Sequence, residues 1–198
     1  MIQVKNISEL PPYKIFLNYY NDAIRKKESN VEALAISSFN KELNYVDSRF
    51  VNIKFIEDDK WIFFSNYKSP KAKQFLSHNQ VAGLFFWKKI NVQIRIKATI
   101  GILNKEFSDN YFKQRSNKKN ALAICSSQSE SIDSYKSVIN NYNQTLQNEN
   151  LTLRPDSWGG FFFEPHQFEF WEGHESRINK REVYNKVNGN WKKSFLQP

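Results

Sequence analysis

The chain has 198 residues, 40% of them hydrophobic and 25% charged, which is a folded, core-forming balance rather than that of a disordered chain. Its net charge of +9 suits phosphorylated small ligands, an anionic surface or nucleic acid, or is background in a chain rich in Lys and Asn. The cations are spread among acids and aromatics with no basic block, so no nucleic-acid partner is expected. One cysteine, Cys125, excludes an intramolecular disulfide, and no apolar run approaches membrane-spanning length. The N-terminus shows no basic-then-apolar signal pattern, so the expectation is a cytoplasmic protein without a membrane partner.

Aromatic residues make up 16% of the chain, 17 of them Phe, which favours a β-rich fold. In chain order, ELPPYKIFLNYYNDAIRKKES predicts a helix after a Pro-Pro start, with Ile15, Phe16, Tyr19, Tyr20 and Ile24 at helical spacing. VEALAISSF predicts a strand and KELNYVD a polar turn. SRFVNIKFI and WIFFS predict a hairpin around EDDK. YKSPKAKQFLSHN predicts a helix with Ser69 as N-cap and Pro70 at its first position. VAGLFFW predicts a buried strand. In VQIRIKATI, residues Val92, Ile94, Ile96, Ala98 and Ile100 alternate with polar ones, the mark of a half-buried strand.

Residues 104–125 predict one or two helices and residues 129–150 a longer one. QFEFWEG, SRINKREVY and WKKSFL predict the last strands, with turns at Trp158–Phe161, Gly173 and VNGN. Strands outnumber helices and follow one another through short turns. The expectation is a mostly β (α+β) fold: one domain over 1–198 built on an antiparallel sheet or barrel with flanking helices.

Catalytic motifs are thin. His78, His166 and His174 lack partners at metal-ligand spacing, so no metal is expected. Cys125 reads as a structural thiol, and neither G-x-G-x-x-G nor a P-loop is present. What remains is a set of anion-seeking groups. Arg49 and Lys54 bracket one strand, and Ser65, Ser69 and Lys71 surround a helix start. Gln93 opens the polar face of the alternating strand. Gln128 and Ser129 sit in a Ser-rich turn, and Tyr111 and Arg115 share a helix face. Arg177, Asn179 and Arg181, spaced by two, would share one strand face. Such groups suit one or two phosphorylated ligands, and each taken alone is more often a solvated charge or a cap.

Together these pieces resemble the pyridoxamine (pyridoxine) 5′-phosphate oxidase family. The resemblance runs from about residue 12 to the C-terminus. It is carried by Pro155, Trp158-Gly159-Gly160-Phe161, Pro165, Glu169-Phe170-Trp171, Gly173, Arg177 and Arg181, and by RFVNIK, FFSNYKSPKA, QIRI, YFKQR and SSQS in order. It implies an FMN-binding split β-barrel homodimer with flavin at the subunit interface. It also implies oxidation of the amine or alcohol of a phosphorylated B6 vitamer to pyridoxal 5′-phosphate, with O2 as acceptor and H2O2 released. A related activity on another ring, as in phenazine-pathway oxidases, and a non-catalytic flavin- or vitamer-binding role are the alternatives.

By position, the resemblance implies that Arg49 and Lys71 meet the flavin phosphate. Phe50, Val51, Asn52, Phe64, Ser65, Gln93, Gln128, Ser129, Trp171 and Arg181 would be its other flavin contacts. Lys54, Tyr111, Arg115 and Lys119 would take the substrate phosphate, with Arg177 over the substrate ring and Asn179 beside it. The chain departs from the family at three of these places: Pro70 stands where an Arg is usual, Lys119 replaces a Ser, and Asn179 replaces a His. The N-terminal arm, residues 1–11, is also short.

Overall fold

The computed structural model describes residues 1–198. After a short strand β1 (Gln3–Lys5), helix α1 (Pro11–Arg25) starts at the Pro-Pro pair, where missing N–H groups cost nothing. Its buried face is Tyr13, Phe16, Tyr20 and Ala23, with Ile15, Tyr19 and Ile24 packed at its margins. Phe16 stands edge-on to Trp61, ring centres 4.4 Å apart, and also contacts Phe85 and Trp87. The helix thus plugs an aromatic core of 27 buried residues.

Strands β2 (Ala33–Asn40) and β3 (Tyr45–Asn52) form a hairpin, so the predicted polar turn is confined to residues 41–44. The predicted strand over 48–56 is broken. β3 ends at Asn52, and β4 (Phe55–Glu57) begins after a link in which Ile53 N–H donates to Glu32 and Lys54 N–H to Ile62. Residues before the link pair with β2, and those after it pair with β5 (Lys60–Asn66). β3 and β4 sit near opposite ends of the strand order, so this two-residue link closes the sheet on itself.

Helix α2 (Pro70–Ser77) starts at Ser69 as expected, but Ser69 Oγ donates to the Asn66 carbonyl instead of capping a helix N–H. β6 (Gln80–Trp87) buries one face only; Leu84 and Phe86 lie outside, so it is not the fully buried strand that its composition suggests. In β7 (Val92–Ile102) the predicted alternation holds: Val92, Ile94, Ile96, Ala98 and Ile100 are all buried. Residues 104–125 form two helices, α3 (Lys105–Gln114) and α4 (Asn117–Cys125). α5 (Tyr135–Asn148) starts later than predicted, capped by Ser134.

β8 (Trp158–Glu172) is a single 15-residue strand, joined by β9 (Lys180–Val187) and β10 (Asn190–Phe195). The strand order is β1-β4-β5-β8-β7-β6-β2-β3, with β9 on β8 and β10 on β9; every pair is antiparallel except β1 with β4. This ten-stranded sheet with five flanking α-helices is a split-barrel fold.

Trp158–Phe161 is therefore strand, not a turn: Ser65 pairs with Gly159 and Phe64 with Gly160. The glycines serve close packing. A Cβ on Gly159 would stand 2.5 Å from Tyr67 Cζ, and one on Gly160 would stand 2.7 Å from Leu103 Cδ2. Gly159→Ala is expected to destabilise the protein by about 1–3 kcal/mol in urea unfolding, the usual cost of overpacking. In a Tyr67→Ala background much of that penalty should vanish; an equal penalty in both would clear Tyr67 as the obstacle.

Candidate functional site

The β3–β4 link, β5 and helices α2, α3 and α4 enclose a cavity of about 300 Å3. Phe50, Val51 and Asn52 reach it from the end of β3, and Lys54 from the link. Phe64 and Ser65 come from β5, Lys71 from the first turn of α2, and Tyr111 from α3. Arg115, Lys119, Gln128 and Trp158 complete the lining. A neighbouring recess of about 190 Å3 shares Phe64, Arg115 and Lys119 and runs on to Leu122, Ala123 and Ser126.

One wall is aromatic. Phe64 lies flat against Trp158, centres 5.0 Å apart and planes 8° apart, and stacks on Tyr111 at 4.1 Å. The Arg115 guanidinium lies 4.3 Å from the centre of the Trp158 ring. This stack is a flat apolar surface with a cation on its rim.

The other walls are cationic, and no carboxylate lines the cavity. Lys54, Lys71, Arg115 and Lys119 make no ion pair with any acid in the chain. Burial, with the nearby Arg49 charge, pushes the Lys71 amine down to about 8. Its Nζ donates to Ser65 Oγ at 3.2 Å and Ser69 Oγ at 3.4 Å, which ease but do not neutralise it. Burial also lowers Arg115 and Lys54, the latter against the pull of Glu32 and with the push of Lys119 and Arg115. Burial raises the Tyr111 phenol, keeping it a neutral donor. One guanidinium nitrogen of Arg115, Nη1, is buried without a hydrogen-bond partner. Arg49 does not line the cavity, but it is close enough for its charge to act on Lys71; burial lowers it and Asp47 opposes the shift.

Gln93, Trp171 and Arg181 do not line this cavity. They form a row across three strands, with Gln93 opposite Trp171 and Trp171 opposite Arg181. Arg181 is held in its own chain by Glu169, 2.8 Å away. The expectation that Arg177, Asn179 and Arg181 share a strand face is overturned. β9 begins only at Lys180, and Arg177 sits in the preceding turn with a left-handed φ of 59°. Asn179 Oδ1 accepts from the His174 N–H at 3.0 Å and Arg177 N–H donates to the His174 carbonyl at 2.9 Å, so local bonds fold this turn. Arg177 itself has no side-chain partner. Ser129, also in the left-handed region, stands just outside the main cavity and lines a pocket with Cys125 and Ser126.

Residues 21–144 match the family model described as pyridoxamine 5′-phosphate oxidase. The chain belongs to this family. Residues 158–198 match the model for the pyridoxine 5′-phosphate oxidase C-terminal dimerisation region. The chain is 31% identical over 194 residues to the pyridoxine/pyridoxamine 5′-phosphate oxidase of Legionella pneumophila, covering 96% of this chain and 89% of the relative. It is 33% identical over 190 residues to that of Leptospira biflexa, covering 94% and 89%. Among solved structures, PhzG from Burkholderia lata in complex with tetrahydrophenazine-1-carboxylic acid has a TM-score of 0.88 at 24% identity, covering 96% of this chain and 95% of that one. A pyridoxamine 5′-phosphate oxidase-related, FMN-binding protein from Nostoc punctiforme has a TM-score of 0.81 at 12% identity, covering 96% and 100%.

FMN is the family's cofactor, and the residues present fit it. A desolvated Lys71 with no lining carboxylate, beside an Arg49 offset only by Asp47, is an arrangement that a phosphate would relieve. No backbone carbonyl accepts from the Lys71 and Ala72 N–H groups at the start of α2, which adds donors at the same place. Pro70 takes nothing from this, because a first-position residue has no intrahelical acceptor to lose.

Trp158 is not among the sequence-predicted site residues, because it falls in the Trp158–Phe161 stretch predicted as a turn. Its place in the site is visible only once β5 and β8 are side by side, which lays it against Phe64. Ser38, Asp47 and Gln74, which surround Arg49, were also missed. The unfavourable charge on Lys71 has a consequence for stability. With its folded-state value near 8, below the unfolded value, the unfolded chain binds more protons between that value and about 10.4. Lys71→Met should therefore raise the melting temperature of the flavin-free protein at pH 7, with the gain shrinking as pH rises through that window. A gain that does not change with pH would assign the effect to packing.

Proposed function

We propose that the protein is an FMN-dependent oxidase that converts pyridoxamine 5′-phosphate, pyridoxine 5′-phosphate or both to pyridoxal 5′-phosphate. The observation that carries this reading is the pairing of two anion-seeking groups on one aromatic-walled cavity. Lys71 stands at one edge with the Arg49 charge close by, outside the lining, and Lys54, Tyr111, Arg115 and Lys119 stand at the other. Two phosphate monoesters, one of the flavin and one of the vitamer, would use both. The identity of 31–33% to curated oxidases over nearly the full chain supports the same substrate class.

In this reading Arg49 and Lys71 hold the flavin phosphate, while Val51, Asn52, Phe64, Ser65 and Gln128 position the rest of the flavin. Lys54, Arg115 and Lys119 neutralise the substrate phosphate, and the Tyr111 hydroxyl donates to it as a neutral group. Trp171, Arg177, Asn179 and Arg181 all lie within the matched dimerisation region. A homodimer in which a second copy brings these residues and Gln93 to the cavity accounts for their absence from its lining. Arg177, with no partner in its own chain, then lies over the substrate ring and fixes its angle. When bound, FMN supplies the two-electron oxidation of the C4′ amine or alcohol and passes the electrons to O2, releasing H2O2. The protein's own contribution is binding, orientation and charge.

A second reading is oxidation of a different ring. It is favoured by Asn179, an uncharged amide already bonded to the turn backbone, and by the phenazine-type ligand of the Burkholderia structure. Purified protein should bind FMN, and pyridoxamine 5′-phosphate should bleach it without oxygen. Bleaching by a reduced phenazine carboxylate alone would favour the second reading. Retained flavin that no such substrate bleaches would leave a flavin- or vitamer-binding protein. Arg177→Ala is expected to keep its flavin and lose about 100-fold in kcat. Unchanged turnover would remove Arg177 from the mechanism.

A further inference from the structure

A buried glutamine stands behind Arg49. Gln74 lies on the core-facing side of α2 with Ala72 and Phe75, and only 3% of it is exposed. Burying a primary amide is unfavourable unless its bonds are made. Here they are made to three groups from two strands. Gln74 Oε1 accepts from Ser38 Oγ of β2 at 2.5 Å and from Arg49 Nη2 of β3 at 3.0 Å. Its Nε2 donates to Asp47 Oδ2 of β3 at 2.7 Å. Ser38 Oγ in turn accepts from Arg49 Nη1 at 2.6 Å. The amide has one workable orientation: reversed, its NH2 would face the guanidinium and its oxygen the carboxylate.

We infer that Gln74 is a positioning residue that fixes the Arg49 guanidinium for a phosphate monoester while leaving its charge available. This rests on the reading of Arg49 and Lys71 as the partners of the flavin phosphate. A glutamate at position 74 would hold Arg49 equally well in space but would neutralise it and crowd Asp47 with a second carboxylate. An amide gives the geometry without the opposing charge. Asp47, 3.5 Å from Arg49 and half-exposed, is a screened and weaker counter-charge. Ser38 and Gln74 therefore occupy both terminal nitrogens from behind. Gln74 is one helical turn from Lys71, so a single element carries both one cation and the support of the other.

The test compares FMN with riboflavin, which differ by the phosphate alone, by flavin-fluorescence titration of the full chain stripped of flavin. The wild type should bind FMN far more tightly. Gln74→Met should weaken FMN about tenfold, the loss of one bond to a charged group, and change riboflavin less than about twofold. In Gln74→Glu, FMN should bind more weakly than in the wild type at about pH 8, and the ratio of the two Kd values should fall as the pH is lowered through about 4.3, where an ordinary glutamate protonates. Equal losses of FMN and riboflavin in Gln74→Met, or FMN binding at wild-type strength, would overturn the inference. If Gln74→Met does not fold, the Gln74→Glu titration decides, and a Kd ratio independent of pH overturns it. A wild type that binds FMN no better than riboflavin would overturn the flavin-phosphate reading itself, and the role of Gln74 with it.

Discussion

The whole arrangement hangs on the way β8 shares its two edges. Phe161–Phe163 pair with both β5 and β7, and Gln167–Glu172 pair with both β9 and β7. β5 and β9 therefore occupy the same edge in succession and must exchange between residues 163 and 167. At that point the register with β7 slips between Lys97 and Ala98, and Pro165, which has no N–H to give, sits in the strand. The slip lets one strand serve two neighbours. It also sets the two ends of β8 far apart in role: Trp158 walls the cavity, while Trp171 joins Gln93 and Arg181 in a separate row.

The second constraint is electrostatic. A net charge of +9 spread along the sequence becomes, on folding, a cavity with four lining cations and no lining acid. Three of them are partly stripped of water, and burial is the leading cause of the shifts at Lys71, Arg115 and Lys54; Lys119 stands exposed at the rim. Stability is given up at such a place, and an anionic ligand returns it on binding. Elsewhere the fold neutralises its buried charges: Glu169 bonds Arg181 and Arg95, and Arg154 bonds Asp109. The contrast between buried cations that are paired elsewhere and the half-buried, unpaired Lys54, Lys71 and Arg115 inside the cavity is what distinguishes a binding site from ordinary surface charge.

Much of this was legible in the residues. The alternation of β7 predicted its buried face residue by residue, because a strand with one wet face writes its geometry into the sequence at period two. α1 and α2 were legible from Pro-marked starts. The break between β3 and β4 was not, because Val51, Ile53 and Phe55 continue one alternating pattern through it; only the change of hydrogen-bonding partner reveals it. The first half of β8 was misread since two glycines there look like a turn, whereas they make room for Tyr67 and Leu103. The Arg177 turn was hidden because SRINKREVY contains no Gly or Pro. An Asn side chain bonded to the backbone does the turning.

By itself the sequence determined the chemistry on offer: arginines, lysines, amides and aromatics, no metal-type cluster, and strand and helix periods that specify a β-rich fold. Those are local properties, carried by side-chain type and by spacing along the chain. Only the tertiary structure decided which groups meet. Lys54, Lys71, Arg115 and Lys119 come from four different segments, and the first three are unusual cations only once the fold takes their water away. The same holds for Gln74, a polar residue on a helix face, whose meaning comes from the two strands it ties to Arg49. Desolvation and charge proximity depend on distances in space, which no reading of neighbours in sequence contains.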